Sequence, residues 1–260
     1  MVEVLADPAL YAFTGGDRPD LPALEVRRGR LAAFSLAITP AYLAGMSDDA
    51  PCNCGCPNTF STKDADADLK RYLKQGPDRT TRALIDAIVA EGVEGATLLD
   101  IGGGIGAIQW ELLASGVARS TTVDATEAYV AAARAEAERR GYGDRTTGRA
   151  GTFEEIASEI EPVDIVTLDR VVCCDPNLAG LLASAAGHAR RMVGLVYPRG
   201  TWWNRLAGRV MNAFAWLARD HTRWHLHQPA DIDRILTGAG FRRREIDRTF
   251  VWQVALYVRP

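Results

Sequence analysis

Between Thr97 and Gly116 the sequence TLLDIGGGIGAIQWELLASG sets Asp100 in an apolar run and follows it with Gly102, Gly103, Gly104 and Gly106. Glycines so placed let a backbone approach a ligand closely and adopt positive φ. Two nucleotide chemistries suit such a turn. Gly102, Gly104 and Ala107 satisfy G-x-G-x-x-A, which seats a pyrophosphate at a helix N-terminus. Asp100, Gly102, Gly104 and Gly106 also satisfy the longer D-x-G-x-G-x-G. A carboxylate two residues before the glycines repels phosphate and attracts a cation, and S-adenosylmethionine (SAM) carries both an ammonium and a sulfonium.

Other groups with chemical potential fall later in the chain. Asp124 ends the apolar run STTVD, where an acid can accept paired ribose hydroxyls or cap the following helix. Asp169, in Leu168-Asp169-Arg170, ends another such run and is either a site carboxylate or a turn residue. His221, His225 and His227 lie within seven residues of one another, and His225 and His227 are candidate bases for a transfer reaction. The five cysteines form two clusters, Cys52, Cys54 and Cys56, then Cys173 and Cys174. Converging thiolates of this kind bind zinc or a metalloid, although C-x-C is not the spacing of common zinc knuckles.

These groups need elements to hold them. From Thr62 onward, helical periodicity (KDADADLKRYLKQG, then PDRTTRALIDAIVAEG with Pro77 at its start) leads into the strand TLLDI. Apolar strands and amphipathic helices then alternate: STTVDA, TEAYVAAARAEAERRG, RTTGRAG, TFEEIASEI, VDIVTLD, PNLAGLLASAAGHARR and MVGLVYP. Such alternation predicts an α/β fold, a doubly wound, mostly parallel sheet of seven strands with helices on both faces. The closing runs RRREIDRTF and VWQVALYVRP are too close for a crossover helix, so the C-terminal strand is expected to be antiparallel.

On Asp100, the glycine turn, Asp124 and the antiparallel ending, residues 65 to 260 resemble the class I SAM-dependent methyltransferases, in the small-molecule branch that includes magnesium-protoporphyrin methyltransferase. The resemblance implies a Rossmann-like fold, SAM as cofactor and a small-molecule methyl acceptor. It implies that SAM is held by Tyr72, Asp100, Gly102, Gly103, Gly104, Gly106, Asp124, Ala125, Thr152, Phe153, Asp169 and Arg170, with Tyr72 and Gln75 closing over the methionine end. At Gly151-Thr152-Phe153 the family's usual acidic residue is Thr152. The segment at about 200–225, TWWNRLAGRVMNAFAWLARD, stands where relatives insert a lid. Its apolar face is that of a helix packed on the core, a pocket for an apolar acceptor, or a membrane-surface attachment.

Composition narrows the function classes. Thirty Lys and Arg against 33 Asp and Glu leave a net charge of -3, so no overall basic field points to nucleic acid. No signal peptide or apolar span is evident, and a cytoplasmic protein is expected. Residues 1–60 read as a cysteine-containing extension, with Met46 an alternative start, and residues 61–260 as the methyltransferase domain. The competing class is a thiolate protein that binds metal or metalloid, or that holds SAM without turnover.

Overall fold

The computed structural model describes residues 61–219 and 223–260. The extension, with Cys52, Cys54 and Cys56, and His221 lie outside these residues. Helices α1 (Thr62–Gln75) and α2 (Arg79–Ala90) precede β1 (Thr97–Ile101), α3 (Ala107–Ala114), β2 (Arg119–Asp124), α4 (Glu127–Arg139) and β3 (Thr146–Ala150). There follow α5 (Phe153–Ile156), β4 (Val163–Asp169), α6 (Leu178–His188), β5 (Ala189–Pro198), α7 (Trp202–Leu217), α8 (Pro229–Gly238), β6 (Arg242–Arg248) and β7 (Trp252–Val258).

The strands form one sheet in the order β3-β2-β1-β4-β5-β7-β6. The first five are parallel, and β7 runs antiparallel between β5 and β6. The strand alternation of side chains sorts the core into two layers. Leu98, Ile165, Met192, Val254 and Leu256 pack with Leu84, Ile85 and Ile88 of α2 and Ile108 and Leu112 of α3. Leu99, Ile101, Val166, Leu168, Val193 and Tyr257 pack with α6 and α8 on the other face. A third cluster, Ala65, Tyr72, Ile105, Trp110 and Tyr129, ties α1 to α3 and α4.

Two boundaries depart from the sequence reading. Pro77 stands before α2 rather than in its first turn, because Asp78 is the N-cap and its side chain accepts from the Thr80 and Thr81 amides. Arg190 and Arg191 belong to β5, not to the preceding helix, since the chain enters the sheet at Ala189. Among the described residues, no helix is long and apolar enough to cross a membrane.

Helix α7 differs most from a core helix. Its buried positions are Asn204 and Gly208, whereas Trp202, Leu206, Val210, Met211, Phe214, Trp216 and Leu217 are exposed. Packing of its large apolar residues on the core is therefore not what holds it. Asn204 Nδ2 donates to the carbonyls of Arg199 and Val251, each at 2.9 Å. Asn212 donates to the Trp224 carbonyl at 2.9 Å and accepts from its N–H at 2.8 Å.

Candidate active site

The parallel strand order changes direction at β1, which lies between β2 and β4. A doubly wound sheet opens a crevice at the carboxyl ends of its strands at this point. A cavity of about 390 Å³ lies there, floored by the Gly102–Ile105 turn and lined by the ends of β1, β2 and β4, the start of α5, and residues of α1 and α2.

The glycine turn is held from below. Gly102 and Gly104 have φ of 63° and 54°, the left-handed region where a side chain is strained. A Cβ on Gly103 would sit 2.7 Å from Thr122 Cγ2 and 2.8 Å from Asp100 Oδ2, so the turn rests directly on the Asp100 carboxyl. Gly106 does not line the cavity; with φ of 90° it is the N-cap of α3.

Three carboxyls differ in their environment. Asp100 is buried; its Oδ1 accepts from Thr167 Oγ1 at 2.6 Å, and its Oδ2 has no hydrogen-bond partner among the described residues. Burial pushes its pKa up to about 7, against the Thr167 hydrogen bond that favours the charge. Asp124 uses both oxygens, accepting the Gly104 N–H and the Thr126 N–H, each at 2.9 Å. It braces the turn rather than capping α4, whose N-cap is Thr126. Burial raises its pKa, with those amides opposing. Asp169 accepts from Thr81 Oγ1 at 2.5 Å, which joins β4 to α2, while its buried Oδ1 has no hydrogen-bond partner among the described residues and lies 3.8 Å from Arg170 Nε. Burial raises its pKa too, partly offset by Arg170.

Eleven of the twelve residues drawn from the resemblance line the cavity, Gly106 being the exception. Tyr72 lines the cavity; its hydroxyl donates to Glu111 at 2.7 Å and its ring lies tilted against Trp110, 5.1 Å between centroids. Arg170 lies over Trp252 and bonds Asp78 and, at 2.9 Å, Thr80, so it ties β4 to the start of α2. Thr152 is the N-cap of α5, and its N–H donates to Glu155 at 3.0 Å. Gln75 is exposed and outside the lining. Sequence reading missed Asp68, which accepts from Tyr129 Oη at 2.7 Å, and Thr81; helix periodicity carries no signal for either.

His225 and His227 stand outside the lining, one layer back. His227 Nε2 lies 2.8 Å from the carbonyl of Asp175, a lining residue, and the His225 N–H donates to the Cys173 carbonyl at 2.8 Å. Desolvation and the neighbouring His227 lower the His225 pKa. Cys174 lines the cavity and Cys173 is buried beside it, each thiol directed at the Arg170 carbonyl. Among the described residues no group of three His, Cys, Asp or Glu side chains is placed to hold a metal. No residue of α7 lines the cavity.

Charge decides which nucleotide fits. Six aspartates but only two arginines line the cavity, and Arg170 is already engaged by Asp78. Such a lining disfavours a pyrophosphate and favours a cation. The carboxyls of Asp100 and Asp169, with a floor where a side chain on Gly102 or Gly103 would clash, suit SAM.

Comparison with known proteins agrees with that chemistry. Residues 99–192 match the family described as methyltransferase domain. No curated protein matches the sequence. Among solved structures, magnesium protoporphyrin IX methyltransferase from Synechocystis PCC 6803 with bound SAH is similar at a TM-score of 0.57 and 23% identity, over 70% of this chain and 82% of that one. An O-methyltransferase family protein from Burkholderia thailandensis gives 0.56 and 19%, over 77% and 60%. Human N-acetylserotonin methyltransferase in complex with SAM gives 0.54 and 17%, over 76% and 56%. The sheet order, the glycine turn above Asp100 and the match of residues 99–192 agree, so the chain carries a methyltransferase domain and shares the fold of these SAM-dependent methyltransferases.

Proposed function

We propose that the protein transfers a methyl group to a small-molecule acceptor, the cavity at the ends of β1, β2 and β4 holding both reactants. The observation that carries this reading is the pair of carboxyls, Asp100 and Asp169, that line one cavity, each with a buried oxygen that has no hydrogen-bond partner among the described residues. SAM supplies an electrophilic methyl on a cationic sulfur. The protein has to align the acceptor, exclude water and, where the acceptor carries a proton, receive it.

In this reading Gly102, Gly103 and Gly104 pass beneath the cofactor and Asp124 accepts the ribose hydroxyls with its remaining lone pairs. Asp100, pushed up to about 7, gains a cationic neighbour that favours its ionised form. Ala125, Thr152 and Phe153 edge the adenine side, and Tyr72 supplies an apolar wall. Asp169 is the proton acceptor: it lines the cavity, Thr81 fixes one oxygen, the other accepts no hydrogen bond among the described residues, and a carboxylate made more basic by burial is a better base near neutral pH. His225 and His227 support this edge through the backbone of Cys173 and Asp175.

Incubation of the full chain with methyl-labelled SAM and a panel of phenols, carboxylates, amines, thiols and arsenite tests the proposal. Label is expected in a small-molecule fraction. Label found only in protein or nucleic acid would overturn the acceptor class, and binding of NADH in place of SAM would overturn the cofactor reading. Asp169→Asn is expected to lower turnover at saturating SAM about a hundredfold or more; equal turnover would remove Asp169 as the base.

A further inference from the structure

Helix α7 carries its apolar side outward. At 100° per residue, Asn204, Gly208, Asn212 and Ala215 share one side of the helix, and none of these four is exposed. Trp202, Leu206, Val210 and Leu217 share the opposite side with Phe214 at its margin, and their exposures run from 46% for Val210 to 73% for Leu217. The patch continues onto the β6–β7 turn. Trp202 meets Trp203 edge-on at 5.8 Å, and Trp203 stacks on Phe250 at 5.2 Å, itself 70% exposed. A monomer in water rarely leaves such an area open without a use for it.

Charge identifies the occupant. The segment from Arg199 to Arg219 holds four arginines and no acidic residue, in a chain whose net charge is -3. Arg205 bonds the neutral Gln228, and neither it, Arg209 nor Arg219 pairs with an acid among the described residues. Two copies meeting through this face would bring their arginines together. An anionic lipid surface instead offers acyl chains to the aromatic and aliphatic side and phosphates to the arginines flanking it. Tryptophan suits the boundary between the two.

We propose that α7, with Phe250 beside it, docks the protein on the surface of an anionic bilayer. The helix lies in the interface and does not span it. Because α7 follows β5, it begins at the same carboxyl edge of the sheet where the cavity opens. Docking therefore brings that edge of the sheet to the membrane.

Flotation of the full chain with phosphatidylglycerol–phosphatidylcholine vesicles, and with phosphatidylcholine alone, tests this. The protein is expected to float with the anionic vesicles and to be released by salt. The double variant W202S/F214S is expected to weaken partitioning about a hundredfold or more, from the apolar burial it forfeits. Arg209→Gln is expected to weaken it about fivefold, the equivalent of about 1 kcal/mol. Binding of S-adenosylhomocysteine, unchanged in both variants, verifies that they fold. Failure to float with anionic vesicles, or equal flotation of W202S/F214S, would overturn the proposal. So would a dimer in sedimentation that this double variant dissolves, because it would assign the face to a second copy.

Discussion

Replacing Asp124 with alanine separates ribose recognition from the attraction of charge. Each Asp124 oxygen already accepts one backbone N–H, from Gly104 and from Thr126 at 2.9 Å, and each retains a further lone-pair site. If both ribose hydroxyls occupy those sites, truncation removes two hydrogen bonds to a charged acceptor at about 1.5–3 kcal/mol each. The loss is then about 3–6 kcal/mol, or roughly two to four orders of magnitude in Kd. Titration calorimetry with S-adenosylhomocysteine is the appropriate assay, since that ligand keeps the ribose but lacks the sulfonium charge. The same truncation strands two backbone donors in the turn, at about 1–3 kcal/mol each, so a thermal melt must accompany the titration. Asp124→Asn preserves volume and one acceptor oxygen, and it is expected to fall between the parent and the alanine variant. Unchanged affinity in an Asp124→Ala protein that still melts cooperatively would refute the ribose assignment.

Asp100 predicts a pH signature in the ligand-free protein. Burial lifts its pKa to about 7, so the folded chain retains a proton that the unfolded chain releases near its ordinary value of about 4. Its contribution to stability therefore falls as pH rises from about 4 to about 7 and is flat above. Asp100→Asn keeps the oxygen that accepts from Thr167, and it is expected to melt above the parent at alkaline pH and level with it near pH 4, about the ordinary carboxyl value. A melting difference constant with pH would contradict this. Gly103→Ala places a methyl within 2.8 Å of both Thr122 and Asp100; SAM binding, read by calorimetry, is expected to be lost as the turn lifts. Asn212→Ala removes both bonds to Trp224; a lowered melting temperature is expected, by about 2–4 °C for each kcal/mol lost.

Much of the fold could be read in advance because its signals are local. Continuous apolar runs such as TLLDI and VDIVTLD are buried on both faces, and the helices between them keep a 3.6-residue period. The glycine turn could be read for the same reason, since its conformational demand lies within a few residues. Contacts made across the fold could not. Nothing in RTTRALIDAIVA marks Thr81 as the partner of Asp169, 88 residues away. Periodicity showed that α7 has an apolar side but not which way it faces, because Asn204 and Asn212 clasp the protein through backbone groups brought in from Arg199, Val251 and Trp224. Similarly, Asp78 rather than Pro77 begins the capping of α2, and only the hydrogen bonds to Thr80 and Thr81 distinguish the two.

The place of β7 has a consequence for how the chain reaches this state during synthesis. Residues 252–258 are made after the other six strands of this sheet, yet they lie inside it, hydrogen-bonded to β5 on one side and β6 on the other. Until they emerge, the half of the sheet that carries the glycine turn and all three site carboxyls has an open edge along β5, with Val193, Leu195 and Val196 in it. Such an edge is a template for pairing with other chains. Growth of the nascent chain therefore passes through a stage in which the catalytic half is assembled but adhesive, and the arrival of one seven-residue segment ends it.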